Sequence, residues 1–161
     1  MGYSPETALA DLIDNSLAAG ARKIDIRLDW RDGDPLVEIL DDGTGMGLDR
    51  LVEAMRFGGE GPDAERGGND LGRFGLGLKT ASLSQCRELT VASRRDGSVA
   101  RLAWDVDRVG DGWYADAPDA SPPGELATAF DGGGDGTLIT WNRMDRLGGL
   151  WDLDRDAFND R

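Results

Sequence analysis

Two residues near the start of the chain have the types and the spacing needed for metal-assisted chemistry. Asp11 and Asn15 are four positions apart, and this spacing brings two side chains to the same face of an α-helix. The amide oxygen of Asn15 is a neutral ligand that Mg²⁺ accepts beside phosphate oxygens and water, and the carboxylate of Asp11 is able to orient or deprotonate a water molecule. The alternative is an exposed acid near a helix start, which the helix dipole favours.

A second cluster follows a predicted strand and reads Asp-Asp-Gly-Thr-Gly-Met over residues 41–46. Asp41 can accept a hydrogen bond from the exocyclic amine of a base. Gly43 and Gly45 let the backbone approach a flat ring, and Met46 supplies a polarisable apolar wall. For such a short pattern, a plain turn at the end of a strand is the alternative interpretation.

A third cluster is the glycine-rich stretch Gly-Arg-Phe-Gly-Leu-Gly-Leu-Lys-Thr at residues 72–80. It misses the P-loop pattern by one residue, because Leu78 stands between Gly77 and Lys79, and no buried strand precedes it. If a helix starts at about Leu78, its free N–H groups and the positive end of its dipole suit a phosphate chain. Lys79 would then lie in the first turn, where a cation opposes the dipole unless an anion binds beside it.

The composition assigns acid–base chemistry to carboxylates. The chain has no histidine and a single cysteine, Cys86, which excludes a disulfide framework, Cys/His zinc sites and imidazole catalysis. The net charge of −13 predicts no direct binding of nucleic acid by this domain. No apolar run reaches the roughly 20 residues of a membrane span and no signal peptide is evident, so we expect no membrane association and a cytoplasmic location.

The hydrophobic pattern predicts the helix that positions the first cluster. Ser4, Pro5 and Glu6 have the types typical of a helix start, and Gly20 suits its end after about Ala19. The packing face is predicted to contain Leu9, Ile13, Ser16 and Leu17, and the opposite face Asp11, Asn15 and Ala18.

The remaining pattern predicts antiparallel strands and further helices. A half-buried strand at residues 24–30 should turn its apolar residues inward and form a hairpin with 36–40. The other predicted elements are helices at 48–57 and about 78–85, strands at 89–93, 99–106 and 137–141, a mobile lid-like loop at 58–69 and a Pro/Gly/Asp-rich excursion at 116–136. This mixture is typical of an α+β two-layer sandwich.

In this order the clusters resemble the GHKL or Bergerat-fold ATPases, the superfamily of gyrase B, the ninety-kilodalton heat-shock chaperones, MutL and histidine kinases. Residues 10–16 resemble the N box, 41–46 the G1 box, 72–80 the G2 box and 136–137 the weaker final motif. Residues 74–82 and 136–141 are most similar to the Microrchidia (MORC)-like and heat-shock-chaperone-like branches. The resemblance implies helices over a mixed, mainly antiparallel sheet, with ATP bound between helices under a lid.

The resemblance also implies roles for individual residues. Asp11 would be the catalytic base, Asn15 would hold Mg²⁺, and Asp41 would bind the adenine amine. Met46 would contact the ring face, Thr137 would make a hydrogen bond near the adenine, and the amides of Gly75–Leu78 would bind the phosphates. The other nucleotide-binding positions that it implies are Ala18, Gly43, Gly45, Arg73, Phe74, Gly75, Leu76, Gly77, Leu78 and Lys79. These ATPases usually carry glutamate where this chain has Asp11, and the shorter side chain predicts weaker activation of water.

The predicted function is therefore Mg²⁺-dependent ATP binding with slow hydrolysis, by the N-terminal module of a larger ATP-driven machine. Residues 1–146 would form the ATP-binding domain, and residues 147–161 the truncated start of a following element. The full-length protein would form an ATP-dependent homodimer. Two alternatives are a histidine-kinase catalytic domain, against which Asp11 and Lys79 argue, and an ATP-gated dimerisation switch that does not hydrolyse.

Overall fold

The computed structural model describes residues 4–56, 74–108, 117–119 and 124–144. The elements are the helices α1 (Pro5–Ala18), α2 (Leu48–Met55), α3 (Phe74–Leu83) and α4 (Glu125–Asp131), and the strands β1 (Ile24–Asp29), β2 (Leu36–Asp41), β3 (Glu88–Arg95), β4 (Ser98–Asp105) and β5 (Gly136–Asn142). Short 3₁₀ turns follow β1 and β4. The α+β class is confirmed. None of the helices in these ranges is long and apolar enough to cross a membrane.

The five strands form one sheet in the order β1-β2-β5-β3-β4, and each neighbouring pair is antiparallel. The last strand in the chain, β5, therefore lies in the middle of the sheet, between β2 and β3. Its register places Thr137 opposite Asp41 on one side and opposite Ser93 on the other. The topology thus aligns three polar residues from distant parts of the sequence.

The main core lies between one face of the sheet and the helices α1, α2 and α3. Helix α3 packs against both α1 and α2, and α2 packs over β4. The sheet contributes rows of apolar residues to this core, of which one is Ile39, Ile139, Val91 and Leu102 and the next Val37, Trp141, Leu89 and Trp104. The aligned residues Asp41, Thr137 and Ser93 end this face of the sheet, because they lie two residues along the strands from the row of Ile39.

Helix α1 begins as the sequence predicts, but it packs on a different line of residues. Ser4 is the N-cap and accepts the N–H of Thr7 at 3.2 Å. The buried residues are Ala8, Leu12 and Ser16, whereas Leu17 is exposed. Of the predicted packing face, Ser16 is confirmed as buried and Leu9 packs against the core, Ile13 is only partly buried, and Leu17 is wrong. Tertiary packing against α3 selects the buried line here, and the hydrophobic pattern alone did not reveal it.

Strand β1 forms where the sequence predicts it, but the predicted alternation of buried and exposed residues is wrong, because its central residues are all exposed. Ile26 and Leu28 pair with Ile39 and Val37 and share their face of the sheet. They are nevertheless 38% and 45% exposed. The reason is topological: β1 is an edge strand, so it has a neighbouring strand on one side only. The hairpin with β2 is confirmed.

Two helices differ from the predictions. Helix α3 starts at Phe74 instead of about Leu78, so residues 74–77 of the glycine-rich stretch are already helical. Tertiary context overrides the low helix propensity of glycine there. The predicted irregular excursion over 116–136 contains helix α4, which lies on the sheet face opposite α1 and packs through Ala127 and Phe130 on Ala92 and Leu138. The predicted lid at 58–69 and the element at 147–161 lie outside the described residues.

Candidate functional site

A row of three buried polar residues crosses the sheet beneath the loop that joins β2 to α2. Asp41 ends β2, Thr137 lies near the start of β5 and Ser93 lies near the end of β3, in direct register. Asp41 and Thr137 are each 7% exposed and Ser93 is 0% exposed. We call these three residues the polar row. Buried polar groups are costly unless they are hydrogen-bonded, so their partners define the site.

The carboxylate of Asp41 accepts three hydrogen bonds. Its Oδ1 accepts the N–H groups of Gly43 at 2.9 Å and Thr137 at 3.2 Å. Its Oδ2 accepts the hydroxyl of Ser16 at 2.9 Å. A carboxylate offers about four lone-pair positions, so these bonds leave one acceptor position on Oδ2. Burial raises the pKa of Asp41, and the three hydrogen bonds oppose this rise because they favour the charged form.

Ser93 connects the other end of the polar row to the β2–α2 loop. Its Oγ accepts the N–H of Met46 at 2.8 Å. The same oxygen lies 3.2 Å from the carbonyl oxygen of Gly136 and 2.8 Å from the hydroxyl oxygen of Thr137. Ser93 thereby fixes Met46, the residue predicted to contact the ring face, relative to Thr137. The sequence interpretation missed Ser93, although a polar residue at an inward position of β3 was a visible signal.

Three glycines allow the backbone segments around the polar row to meet. Gly45 has φ +62°, and a Cβ there would lie 1.9 Å from the carbonyl oxygen of Arg94. Gly136 has φ +155°, and its Cβ would lie 2.1 Å from the carbonyl oxygen of Asp41. A Cβ on Gly43 would lie 3.0 Å from the Ala19 carbonyl oxygen. Gly45 and Gly136 therefore require glycine for contacts within the protein itself, and a side chain at Gly43 would be tight. This is a structural reason beyond the predicted approach to a ring.

The β2–α2 loop is also tied to the end of α1. The N–H of Thr44 donates to the carbonyl oxygen of Ala19 at 3.0 Å. Asp42 Oδ1 accepts the N–H groups of Arg22 and Lys23 at 2.7 and 2.8 Å, and these bonds lower the pKa of Asp42. The sequence interpretation gave Asp42 no role. In the structure it holds the loop in place beside Asp41.

Helix α1 brings its predicted site residues alongside this arrangement. Ser16 contacts Asp41, and Asn15 and Asp11 are partly buried on the neighbouring line of the helix. They precede Ser16 and Leu12 by one position each, which is about 100° around the helix. Asp11 and Asn15 therefore flank the buried line. The prediction that they lie on the face opposite the packing residues is wrong. Ala18 is exposed at the end of α1.

Lys79 has a different environment from the one predicted. It is the sixth residue of α3 and not in its first turn. Its side chain is buried, and Nζ donates to the carbonyl oxygen of Arg56, at the C-terminal end of α2. A cation is favourable at a helix C-terminus. Burial lowers the pKa of Lys79. The argument that Lys79 opposes a helix dipole is thus wrong, because the helix begins earlier.

The start of α3 is the described part of the predicted phosphate site. In a helix that begins at Phe74, the N–H of Leu78 is directed to the carbonyl of Phe74, and the free N–H groups belong to the residues before Gly77. The Leu78 side chain is buried in the main core. Arg73 lies outside the described residues, and only the backbone is described for residues 74–77.

The site combines a buried acid with one open acceptor position, a neighbouring hydroxyl pair and a nearby helix with an acid and an amide. Comparison with known proteins identifies the class to which this arrangement belongs. The family model described as "Histidine kinase-, DNA gyrase B-, and HSP90-like ATPase" matches residues 3–129. The chain therefore belongs to this family of ATPases.

Several characterised relatives are similar to parts of the chain. ATPase morc-1 of Caenorhabditis elegans is 33% identical over 100 residues, which cover 61% of this chain and 11% of morc-1. The DNA mismatch repair protein MutL of Pseudomonas putida is 34% identical over 110 residues, covering 66% of this chain and 17% of MutL. The putative MutL protein homolog 1 of Schizosaccharomyces pombe is 32% identical over 139 residues, which cover 84% of this chain and 19% of that homolog. The chain thus matches less than a fifth of each relative's length.

Proposed function

We propose that this chain binds ATP with the adenine base on the polar row. The observation that carries this proposal is the hydrogen bonding of Asp41: three donors from the protein hold its carboxylate, and one acceptor position remains on Oδ2. The exocyclic amine of adenine is a donor of matching chemistry. Met46, held by Ser93, would contact the ring face. Gly43 and Gly45 shape the loop beneath it.

The phosphates would extend from the base towards the start of α3. Helix α3 packs against α1, the helix that carries Asn15 and Asp11. N–H groups at a helix N-terminus and the dipole behind them favour anions. The proposed contacts are the amides of the first residues of α3, Arg73 and Lys79. Lys79 would contact a phosphate oxygen through its long side chain, which also donates to the Arg56 carbonyl oxygen at the end of α2.

The amide oxygen of Asn15 is the proposed protein ligand of Mg²⁺. Mg²⁺ is usually held by one or two protein oxygens, with phosphate oxygens and water completing an octahedron, so one amide oxygen fits this chemistry. When bound, the ion would neutralise charge on the β- and γ-phosphates. Asp11 lies one helical turn before Asn15 and would accept the proton of the water that attacks the γ-phosphorus, while the bond to the ADP oxygen breaks.

Hydrolysis by this chain should be slow. The Asp11 side chain is about one methylene shorter than the glutamate usual in these ATPases, and a misplacement of about 1 Å can cost on the order of a hundredfold in rate. In the proposed context, residues 1–146 act as the ATP-binding module of a larger machine that dimerises when ATP binds. ATPase morc-1 and MutL are each several times longer than the part that matches this chain, which supports the proposal of a module within a larger protein.

A second candidate function is an ATP-gated switch that binds ATP without useful turnover. The specific observation that favours it is aspartate at position 11, because a poorly placed base weakens hydrolysis and spares binding. The two candidates share the base site and differ only in what Asp11 does.

Calorimetric titration with ATP and with ITP tests the base site. ITP carries a carbonyl oxygen in place of the amine, so Asp41 would face an acceptor instead of a donor. We expect binding of ATP and binding of ITP that is weaker by about 100-fold. Equal affinity for the two nucleotides would remove Asp41 from the base site.

Phosphate release by three proteins then separates hydrolysis from switching. We expect slow release by the wild-type chain, none by Asp11→Asn and faster release by Asp11→Glu, all with similar ATP affinity. The matched control is Asp14→Asn, which removes an exposed acid from the same helix. Equal rates for wild type and Asp11→Asn favour the switch.

Asn15→Ala should abolish the Mg²⁺ dependence of ATP binding.

A further inference from the structure

Strand β1 forms a free edge of the sheet. Among the described strands it pairs with β2 alone. The N–H of Asp42 donates to the carbonyl oxygen of Lys23 at 3.2 Å, so the backbone of Lys23 is directed to β2. Because this direction alternates along an antiparallel strand, the N–H and C=O groups of Ile24, Ile26 and Leu28 are directed away from β2. They form a template to which another strand can be added.

The side chains of β1 form two contrasting faces. Ile26 and Leu28 lie on the face of the sheet that carries the main core, yet they are 38% and 45% exposed. Asp25 and Arg27 lie on the other face, because Arg27 is opposite Glu38, which caps α4. Exposed apolar residues on an edge strand favour pairing with another chain, whereas the charges restrict which chain can pair.

We propose that β1 is an interface between two copies of this chain, whose β1 strands pair antiparallel about a two-fold axis at Ile26. A two-fold axis perpendicular to the sheet joins the two sheets into one and keeps the helices of the main core on the same side in both copies. Residues that lie opposite each other must then share a face of the sheet. Their numbers are therefore both even or both odd, which limits the pairing to a few registers.

Charge and hydrophobicity agree in the register about Ile26. Each pair of opposed residues is either oppositely charged or apolar, and like charges never meet. The pairs are Lys23 with Asp29, Asp25 with Arg27, Ile24 with Leu28, and Ile26 with itself. The exposed side chain of Ile26 thereby meets the same side chain of the second copy, and that of Leu28 meets Ile24. This contact removes apolar surface from water.

The neighbouring registers are unfavourable. An axis at Asp25 or at Arg27 places two identical charges opposite each other, and like charges directly opposite are destabilising. An axis at Ile24 or at Leu28 leaves at least half of β1 without a partner. The alternation of charges along β1 therefore favours one self-pairing register over the others. This self-complementarity identifies a second copy as the partner.

The charged side chains can take part at little cost. In one copy Lys23 Nζ lies 2.6 Å from Asp25 Oδ2, and Arg27 Nη2 lies 2.7 Å from Glu125 Oε2, with both pairs at the surface. Exposed ion pairs contribute little to stability, so a dimer can rearrange them easily. The net charge of −13 on each copy produces a repulsion that salt screens. We therefore expect a weak dimer that forms at physiological ionic strength.

Sedimentation equilibrium of the 161-residue chain at about 0.15 M salt, without nucleotide, tests the interface. We expect dimers with a dissociation constant on the order of 10–100 µM. Asp25→Arg and Arg27→Asp should each weaken self-association by about tenfold or more, because each places like charges opposite each other twice. An equimolar mixture of these two variants should associate as tightly as the wild type, since each copy then supplies the charge that the other lacks.

Ile26→Lys tests the axis itself. It would place two ammonium groups opposite each other and should abolish the dimer. Val52→Lys is the matched control, because Val52 lies on α2, is likewise 38% exposed, and the substitution adds the same charge. Its dimer should persist. Dimers that survive Ile26→Lys, a mixture of the two charge variants that fails to associate, or a wild-type chain that stays monomeric at about 1 mM would each overturn the inference.

Amide exchange followed by NMR identifies the strand without any variant. The N–H of Ile26, directed to the free edge, should exchange more slowly as the protein concentration rises, whereas that of Arg27, directed to β2, should be protected at every concentration. Dimers without such protection of Ile26 would contradict pairing at β1. No nucleotide is present in these experiments, so their outcome does not depend on the proposed adenine site.

Discussion

Strand β2 carries two buried acids, Glu38 and Asp41, which face opposite sides of the sheet. Glu38 is 0% exposed and accepts the N–H groups of Glu125, Leu126 and Ala127 at 3.0–3.3 Å, so that it caps helix α4. Asp41 also accepts three donors, but they come from three separate segments: α1, the β2–α2 loop and β5.

The difference between the two acids lies in what surrounds the remaining acceptor position. At Glu38 the backbone of Gly124 is so close that a Cβ on it would lie 2.0 Å from Oε1. Glu38 is therefore closed off by the protein and serves the fold. Asp41 keeps slight exposure at the end of the sheet, beside a loop built around glycines. Equal hydrogen bonding is thus compatible with a structural role for Glu38 and with the ligand-binding role proposed for Asp41.

The largest effect on ATP binding is expected from a substitution of Asp41. We expect Asp41→Asn to weaken ATP binding by about 100-fold or more, because the amide keeps an oxygen for Gly43 and Thr137 and turns its NH₂ group towards the ligand amine. The fold should survive, since the Ser16 hydroxyl can rotate and accept. Calorimetry measures the ATP affinity, and thermal melting measures the stability of the fold. A large loss of stability with intact ATP binding would reverse the assignments of the two acids.

Glu38→Gln should have the opposite pattern. The amide can accept at only one oxygen, so part of the α4 cap is lost and an N–H group is left without a charged partner. We expect the free energy of unfolding to fall by about 1–3 kcal/mol, while ATP affinity changes less than twofold at a temperature where the variant is folded. Urea unfolding and calorimetry test this. Strong loss of ATP affinity would show that α4 belongs to the nucleotide site.

Lys79 extends the comparison to a buried base. Together with Trp104, whose Nε1 donates to Met55 O at 2.7 Å, it holds the last carbonyls of α2. Lys79→Met should therefore cost about 1–2 kcal/mol of stability. The proposed phosphate contact adds a second effect: ATP binding weakens several-fold, and adenosine binding does not. Equal losses for ATP and adenosine would restrict Lys79 to the structural role.

The smallest expected effect is a change in the pKa of the Asp41 carboxyl itself. Burial raises this pKa above the ordinary 3.8, so the carboxylate takes up its proton at a higher pH than an exposed aspartate does. ATP affinity should accordingly fall as the pH drops through that raised value. An amine donor favours the charged form, so bound ATP should lower the pKa. A ¹³C titration of the Asp41 carboxyl measures its pKa without and with ATP. A pKa below 3.8 without ATP would contradict the expected effect of burial.

The sequence predicted those parts of the site that local patterns encode. The N-cap of α1, the hairpin of β1 and β2, and the motif of Asp41 are contiguous in sequence. Ser93 was missed because its partners Met46 and Thr137 are 47 and 44 residues away, and the register that unites them depends on β5 entering the middle of the sheet. Helix α4 was missed because its cap, Glu38, is 87 residues before it.

Predictions that depended on helix packing failed for a related reason. Helix α3 starts at Phe74 and α1 buries Ala8, Leu12 and Ser16, whereas glycine propensity and the hydrophobic pattern favoured other positions. The two helices pack against each other, and local patterns do not encode such contacts. Ser16 shows the consequence. The sequence placed it on the packing face, where it is indeed buried, but the pattern did not reveal that its hydroxyl donates to Asp41.

The most direct test of the adenine site is an NMR titration of the ¹⁵N-labelled chain with ATP. The amides of Gly43 and Thr137, which donate to Asp41, should shift on binding. The amides of Leu126 and Ala127, which donate to Glu38 on the other face, should not. Shifts confined to the Glu38 face, or no shifts at saturating ATP, would contradict the assignment of the polar row as the base site.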